Sequence, residues 1–192
     1  MAELDIPKHY AQINEAAGQF LNNFGPAFTN TPQGHIETDI AGAASIAGLS
    51  LLRAMPIDLS RYEPGVVILS EIHEAQNDLL HFMMNVAYSM GLPPQSGWEG
   101  PVPKAHDPLM DTLQLTQRLE SSFLAVCKKA ALPKDYYPHI AALTAMKLVA
   151  AGHKTNLLDA EIGKGLAFYY VVAGSKTVPY PVKARRGLFG IF

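Results

Sequence analysis

The chain has 192 residues, 48% of them hydrophobic, with 15 Lys and Arg against 17 Asp and Glu. That length suits one domain with a sizeable core, and the near-balance of charge supplies no global field to draw it onto nucleic acid or a membrane surface. A single cysteine, Cys127, leaves no internal disulfide and points to a reducing, cytoplasmic setting.

Apolar residues recur at helical spacing along almost the whole chain, and strand-like alternation is nearly absent. The opening MAELDIPKHYAQ carries no apolar run of the secretory kind. Asp5 and Pro7 mark the start of a first helix that Gly25-Pro26 stops. After the loop FTNTPQGH, Thr38 or Asp39 is placed to cap a second helix ending at Pro56. Its run IAGAASIAGLSLL, 13 residues long, is too short for a bilayer crossing, which takes about 20. Small residues on every side, including Ala44-x-x-x-Gly48, predict a central helix closely surrounded by neighbours.

A third helix is predicted over 66–90, closed by Gly91 and Pro93-Pro94. The segment LPPQSGWEGPVPKAH, 92–106, reads as a long loop tacked down by Trp98. Asp107-Pro108 predicts the start of a fourth helix that stops at Pro133. The last helix is predicted from 136 to 172, with a bend near Gly152 or at Gly163-Lys-Gly165. The fold class is therefore all-α. The expected domain, 1–173, is a bundle of four main helices plus the N-terminal one, followed by an extended tail over 174–192.

Three helices carry polar residues where a core is expected. In EIHEAQNDLLHFMMN, 71–85, Ile72, Gln76, Leu79 and Met83 share one face, while Glu71, Glu74, Asp78, His81 and Asn85 share the other. The plain reading is a solvated stripe. Phe82, Met84 and Tyr88, however, make the second half apolar nearly all round, which places His81 and Asn85 in an interior or an interface. Glu120 falls on the apolar face of the fourth helix with Thr116, Phe123 and Cys127, so it needs a cation or a proton. Asp159 lies on the small-residue side of the last helix.

Asp78-x-x-His81 can offer a carboxylate and an imidazole to one ion, and with Glu120 and Asp159 it forms a candidate metal set, Glu37 and Glu74 being outside candidates. Such a set suits iron or manganese in a bundle, as oxidoreductase chemistry uses them, but only one of the two expected carboxylate-x-x-His units is present. No phosphate loop, Gly-x-Ser-x-Gly elbow or zinc cluster occurs, and no catalytic residue is singled out. His35, Glu37 and Asp39 suit the dipole at the start of the second helix.

The tail GSKTVPYPVKARRGLFGIF restricts its backbone at Pro179 and Pro181, then turns basic, then apolar at Leu188, Phe189, Ile191 and Phe192. Those four side chains are the candidate interaction residues, either along the chain's own bundle or in a partner. The sequence-based expectation is a cytoplasmic, non-enzymatic assembly or adaptor subunit. Its partner would be another protein or a second copy, with no nucleic acid and no membrane. The metal-binding bundle is the alternative.

Overall fold

Side-chain caps open four of the α-helices. In a computed structural model of the chain, which describes residues 4–27, 34–68, 73–93 and 102–181, the architecture is all-α. Asp5 opens α1 (Ile6–Leu21), its carboxylate accepting from the Lys8 amide at 3.1 Å. A single turn, α2 (Phe24–Ala27), follows. His35, not Thr38 or Asp39, caps α3 (Ile36–Ala54): its Nδ1 accepts from the Thr38 amide at 3.3 Å.

The third predicted helix begins later than expected. Val66–Ile68 is extended, and the described part of α4 is His73–Ser89. The reason is pairing. Gly65 and Ile68 amides donate to the Val178 and Lys176 carbonyls at 2.8 and 2.7 Å, and Val67 opposes Thr177 in an isolated antiparallel bridge. Asp107-Pro108 likewise does not start α5 (Thr112–Ala130). Asp111 does, because Gln114 reciprocates: the Gln114 amide donates to Asp111 Oδ1 at 2.8 Å and Gln114 Oε1 accepts from the Asp111 amide at 3.2 Å.

The long last helix is two helices, α6 (Tyr137–Lys154) and α7 (Ala160–Lys176). Asn156 takes a left-handed conformation, φ 54°, and the Leu157 amide reaches back to the Gly152 carbonyl at 2.9 Å while Asn156 bonds His153 at 3.1 Å. This is a Schellman stop, which Asn tolerates almost as glycine does. Asp159 then caps α7, accepting from the Glu161 amide at 2.8 Å. Trp98 lies outside the described residues.

α3 is the central rod, as its composition predicts: thirteen of its residues are buried, and it packs on α5, α6 and α7. Small side chains set how near α7 comes. A Cβ on Gly48 would run into the backbone of Val171, Gly174 and Ser175, and one on Gly174 into that of Ser45. α1 closes one side through Phe20, whose ring lies 4.8 Å from Phe123 and 5.1 Å from Phe24, tilted pairs worth about 1 kcal/mol each beyond burial. α4 closes another, burying Gln76, Leu79, Met83, Val86 and Ala87; Gln76 also bonds Ser175 of α7.

Candidate functional site

Glu120 is inward, 9% exposed, and its compensation is a guanidinium. Arg53, in the last turn of α3, meets it in a fork, Nε to Oε1 at 2.7 Å and Nη2 to Oε2 at 3.1 Å. Two parallel charge-assisted bonds satisfy both carboxylate oxygens and fix the rotamers of both side chains. Arg53 Nη2 also donates to the Tyr180 carbonyl at 3.3 Å, so the pair ties α3, α5 and the start of the tail together.

Beside this pair lies a cavity of about 240 Å³ between α3 and α5. Ile46, Leu49, Ser50, Arg53 and Ala54 line it from α3, Glu120, Phe123 and Leu124 from α5, and Lys134 and Tyr137 from the turn into α6. Ser50 spends its hydroxyl on the Ile46 carbonyl at 2.8 Å. Burial pushes the neighbouring Cys127 thiol up to about 12, which leaves it protonated and a poor nucleophile. The site is thus a pocket of mixed lining, with Ile46, Leu49, Phe123 and Leu124 apolar and the Arg53–Glu120 pair, Ser50, Lys134 and Tyr137 polar.

The other three residues of the candidate metal set sit elsewhere. Asp78 and His81 are exposed on the outer side of α4, and Asp159 is exposed at the α7 start with its carboxylate engaged as a cap. Among the described residues, no three His, Cys, Asp or Glu side chains are grouped to hold a metal ion. The separation has a physical cause in each case. The inward face of α4 is filled by Gln76, Leu79 and Met83, the interruption between α6 and α7 leaves Asp159 at a helix start, and Glu120 already has its cation. Glu74 is exposed as well.

Glu37 joins a different cluster. His106 Nδ1 lies 2.9 Å from its Oε1, and His35 Nδ1 3.6 Å from Oε2. Thr38 resolves the tautomer of His35. Its hydroxyl accepts from the Leu109 amide at 3.0 Å and lies 2.9 Å from His35 Nδ1, to which the Thr38 amide also donates. Nδ1 therefore serves as the acceptor that caps α3. Burial pushes the Glu37 carboxyl up, but the His106 hydrogen bond, its own backbone and the two imidazoles outweigh it, leaving it below the usual range.

Two further groups titrate abnormally and in opposite senses. His139, at the start of α6, sets its ring edge-on to Phe82 at 4.9 Å, and its Nδ1 makes no well-formed hydrogen bond among the described residues. Burial holds it down to about 4, the Asp135 backbone and the Asp78 carboxylate offsetting this only in part. Half-buried Asp39 is pushed up to about 6 by burial. A depressed histidine stabilises the fold fully above the unfolded value of 6.5, and that stability drains away as pH falls towards 4. A raised aspartate does the reverse: its penalty is full above about 6 and fades as pH falls to 3.8. Urea melts should therefore show His139→Phe gaining on the parent by up to about 3 kcal/mol between pH 7 and pH 4. Asp39→Asn should show a gain of about 1 kcal/mol at pH 7, discounted for its exposure, which vanishes by pH 4.

Comparison with protein-family models, with curated proteins and with solved structures finds no match to this chain. Its role has to be read from its own surfaces. Among the described residues, no helix is long and apolar enough to cross a membrane.

Sequence reasoning missed Arg53 as the partner of Glu120, and His106 as the partner of Glu37. Both partners lie more than sixty residues away along the chain. A signal for the first was present. Arg53 follows Ile46, Leu49 and Ser50 at helical spacing, a lone cation below an apolar face.

Proposed function

We propose that this chain is a non-enzymatic assembly or adaptor subunit that binds a second copy of itself or another protein. The observation that supports it is the outer side of α4. Met84 is 49% exposed and Tyr88 76% exposed, on a helix whose opposite face is buried in the core. Their i, i+4 spacing puts them on one stripe with His81 and Asn85, both also exposed. An exposed methionine and tyrosine flanked by polar groups are the side chains enriched at protein interfaces. Burying both would remove the apolar area that the sequence already marks as out of place in water.

The small residues of α3 do not serve this contact, since the chain's own helices enclose them. Leu188, Phe189, Ile191 and Phe192 lie outside the described residues. They are assigned here as a second contact, carried by the strap at 177–181.

Light scattering tests the assignment. The full chain is expected to run as a dimer or larger, and Met84→Asp/Tyr88→Asp as a monomer with an unchanged thermal transition. A full chain that is monomeric at every concentration overturns self-assembly. An oligomer that the double variant leaves intact removes α4 from the contact.

A further inference from the structure

The wall of the cavity between α3 and α5 carries more hydrogen-bond donors than the fold uses. Arg53 commits Nε and Nη2 to Glu120 and to the Tyr180 carbonyl, while its Nη1 makes no hydrogen bond among the described residues. The Lys134 ammonium has neither a hydrogen bond nor an ion pair among them, and the Tyr137 hydroxyl has no hydrogen bond. Burial, with the Cys127 thiol nearby, holds the Tyr137 phenol above its usual range, so it keeps its proton and remains a donor.

Charge gives the sign of the missing partner. Arg53 and Lys134 are positive and Glu120 is negative, so the wall holds one positive charge without a match. Both Glu120 oxygens already accept from Arg53, which leaves little to draw a cation in. An anion meets the unspent donors. Its body meets Ile46, Leu49, Phe123 and Leu124, the first three of them buried. Size limits that body. The cavity measures about 240 Å³. A dry cavity of about 150 Å³ takes a benzene ring, so a ring and one carboxylate fit here and a long acyl chain does not.

We propose that this cavity binds a small free monocarboxylate with an apolar, ring-sized body, its carboxylate taken by Lys134, Tyr137 and the unspent side of Arg53. Such a site joins an apolar body to a few placed polar groups, as small-molecule pockets generally do. The inference goes beyond the assembly reading and does not depend on it, since no residue of α4 lines the cavity.

Calorimetric titration of the full chain with phenylacetate tests this, with phenylacetamide as the uncharged match. Phenylacetate, at about ten non-hydrogen atoms, should bind at one site with a Kd below about 1 mM, and the amide about tenfold more weakly. Lys134→Met should weaken the acid about fivefold and leave the amide unchanged. Ala54→Trp should fill the space and abolish both. Lys134 and Ala54 are exposed wall positions, so neither change touches the buried core. Absence of saturable binding up to about 10 mM overturns the proposal. So do equal affinity for acid and amide, an unchanged Kd in Lys134→Met, and binding that Ala54→Trp leaves intact. N-acetylphenylalanine binding more than about tenfold more tightly than phenylacetate assigns the site to a chain end and overturns the free-acid reading. Met84→Asp/Tyr88→Asp should bind phenylacetate as the parent does, which keeps this result separate from the fate of the α4 contact.

Discussion

Gly48→Ala should cost about 3 kcal/mol or more, enough to unfold a marginal domain. Elsewhere in a helix the same change adds up to about 1 kcal/mol of helix propensity. Here the added Cβ meets backbone, not flexible side-chain ends: the Val171 carbonyl oxygen, the Ser175 amide nitrogen and the Gly174 carbonyl carbon. Backbone within a packed helix cannot swing aside, so α3 and α7 must separate along their shared face. That separation loosens a buried hydrogen bond, between Gln76 and Ser175, the residue whose own amide meets the added Cβ. Gly18→Ala is the matched control. No atom outside its own helical backbone and immediate neighbours lies within 4 Å of that position, so it should raise stability by about 0.5–1 kcal/mol. Urea midpoints of the two variants should therefore move in opposite directions. Equal behaviour would mean that α3 and α7 are not in close contact.

Arg53→Met should be the second large effect. It keeps an apolar stem on the cavity wall and removes the fork, leaving the Glu120 carboxylate buried without its cation. Breaking a fully buried pair costs about 3–5 kcal/mol; the Arg53 side chain is 33% exposed, so about 2 kcal/mol is expected. The informative partner is Arg53→Met/Glu120→Leu. If most of the loss is the stranded charge, the double variant recovers to within about 1 kcal/mol of the parent. A double variant as unstable as the single one would show that the pair contributes chiefly through the third bond, to the Tyr180 carbonyl, which fastens the strap.

The assignment of Glu120 illustrates how far the residues carry by themselves. Helical spacing alone put it on the buried face with Thr116, Phe123 and Cys127, and all four are buried. The inward set on α4, Gln76, Leu79 and Met83, was legible for the same reason. What spacing does not encode is the partner. Arg53 reaches Glu120 only because α3 crosses α5 at the last turn of α3, a relation between elements 67 positions apart. The grouping of Asp78, His81, Glu120 and Asp159 required the same kind of relation, and the packing sends them to separate places.

Sequence by itself determined the class of fold, the central place of α3 and the inward faces of α4 and α5 around Leu79, Met83, Glu120 and Phe123. These follow from periodicity and side-chain size, which act within a few residues. Helix ends were less certain, because several caps compete locally: Asp111 wins over Asp107 through Gln114, and Asn156 with Asp159 splits the last helix. Only the tertiary structure decided how charges are paired, where the strap lies along 65–68, and that a cavity opens between α3 and α5. Those depend on distances between remote segments, and the free energy of packing a whole core sets such distances, not the preferences of any one stretch.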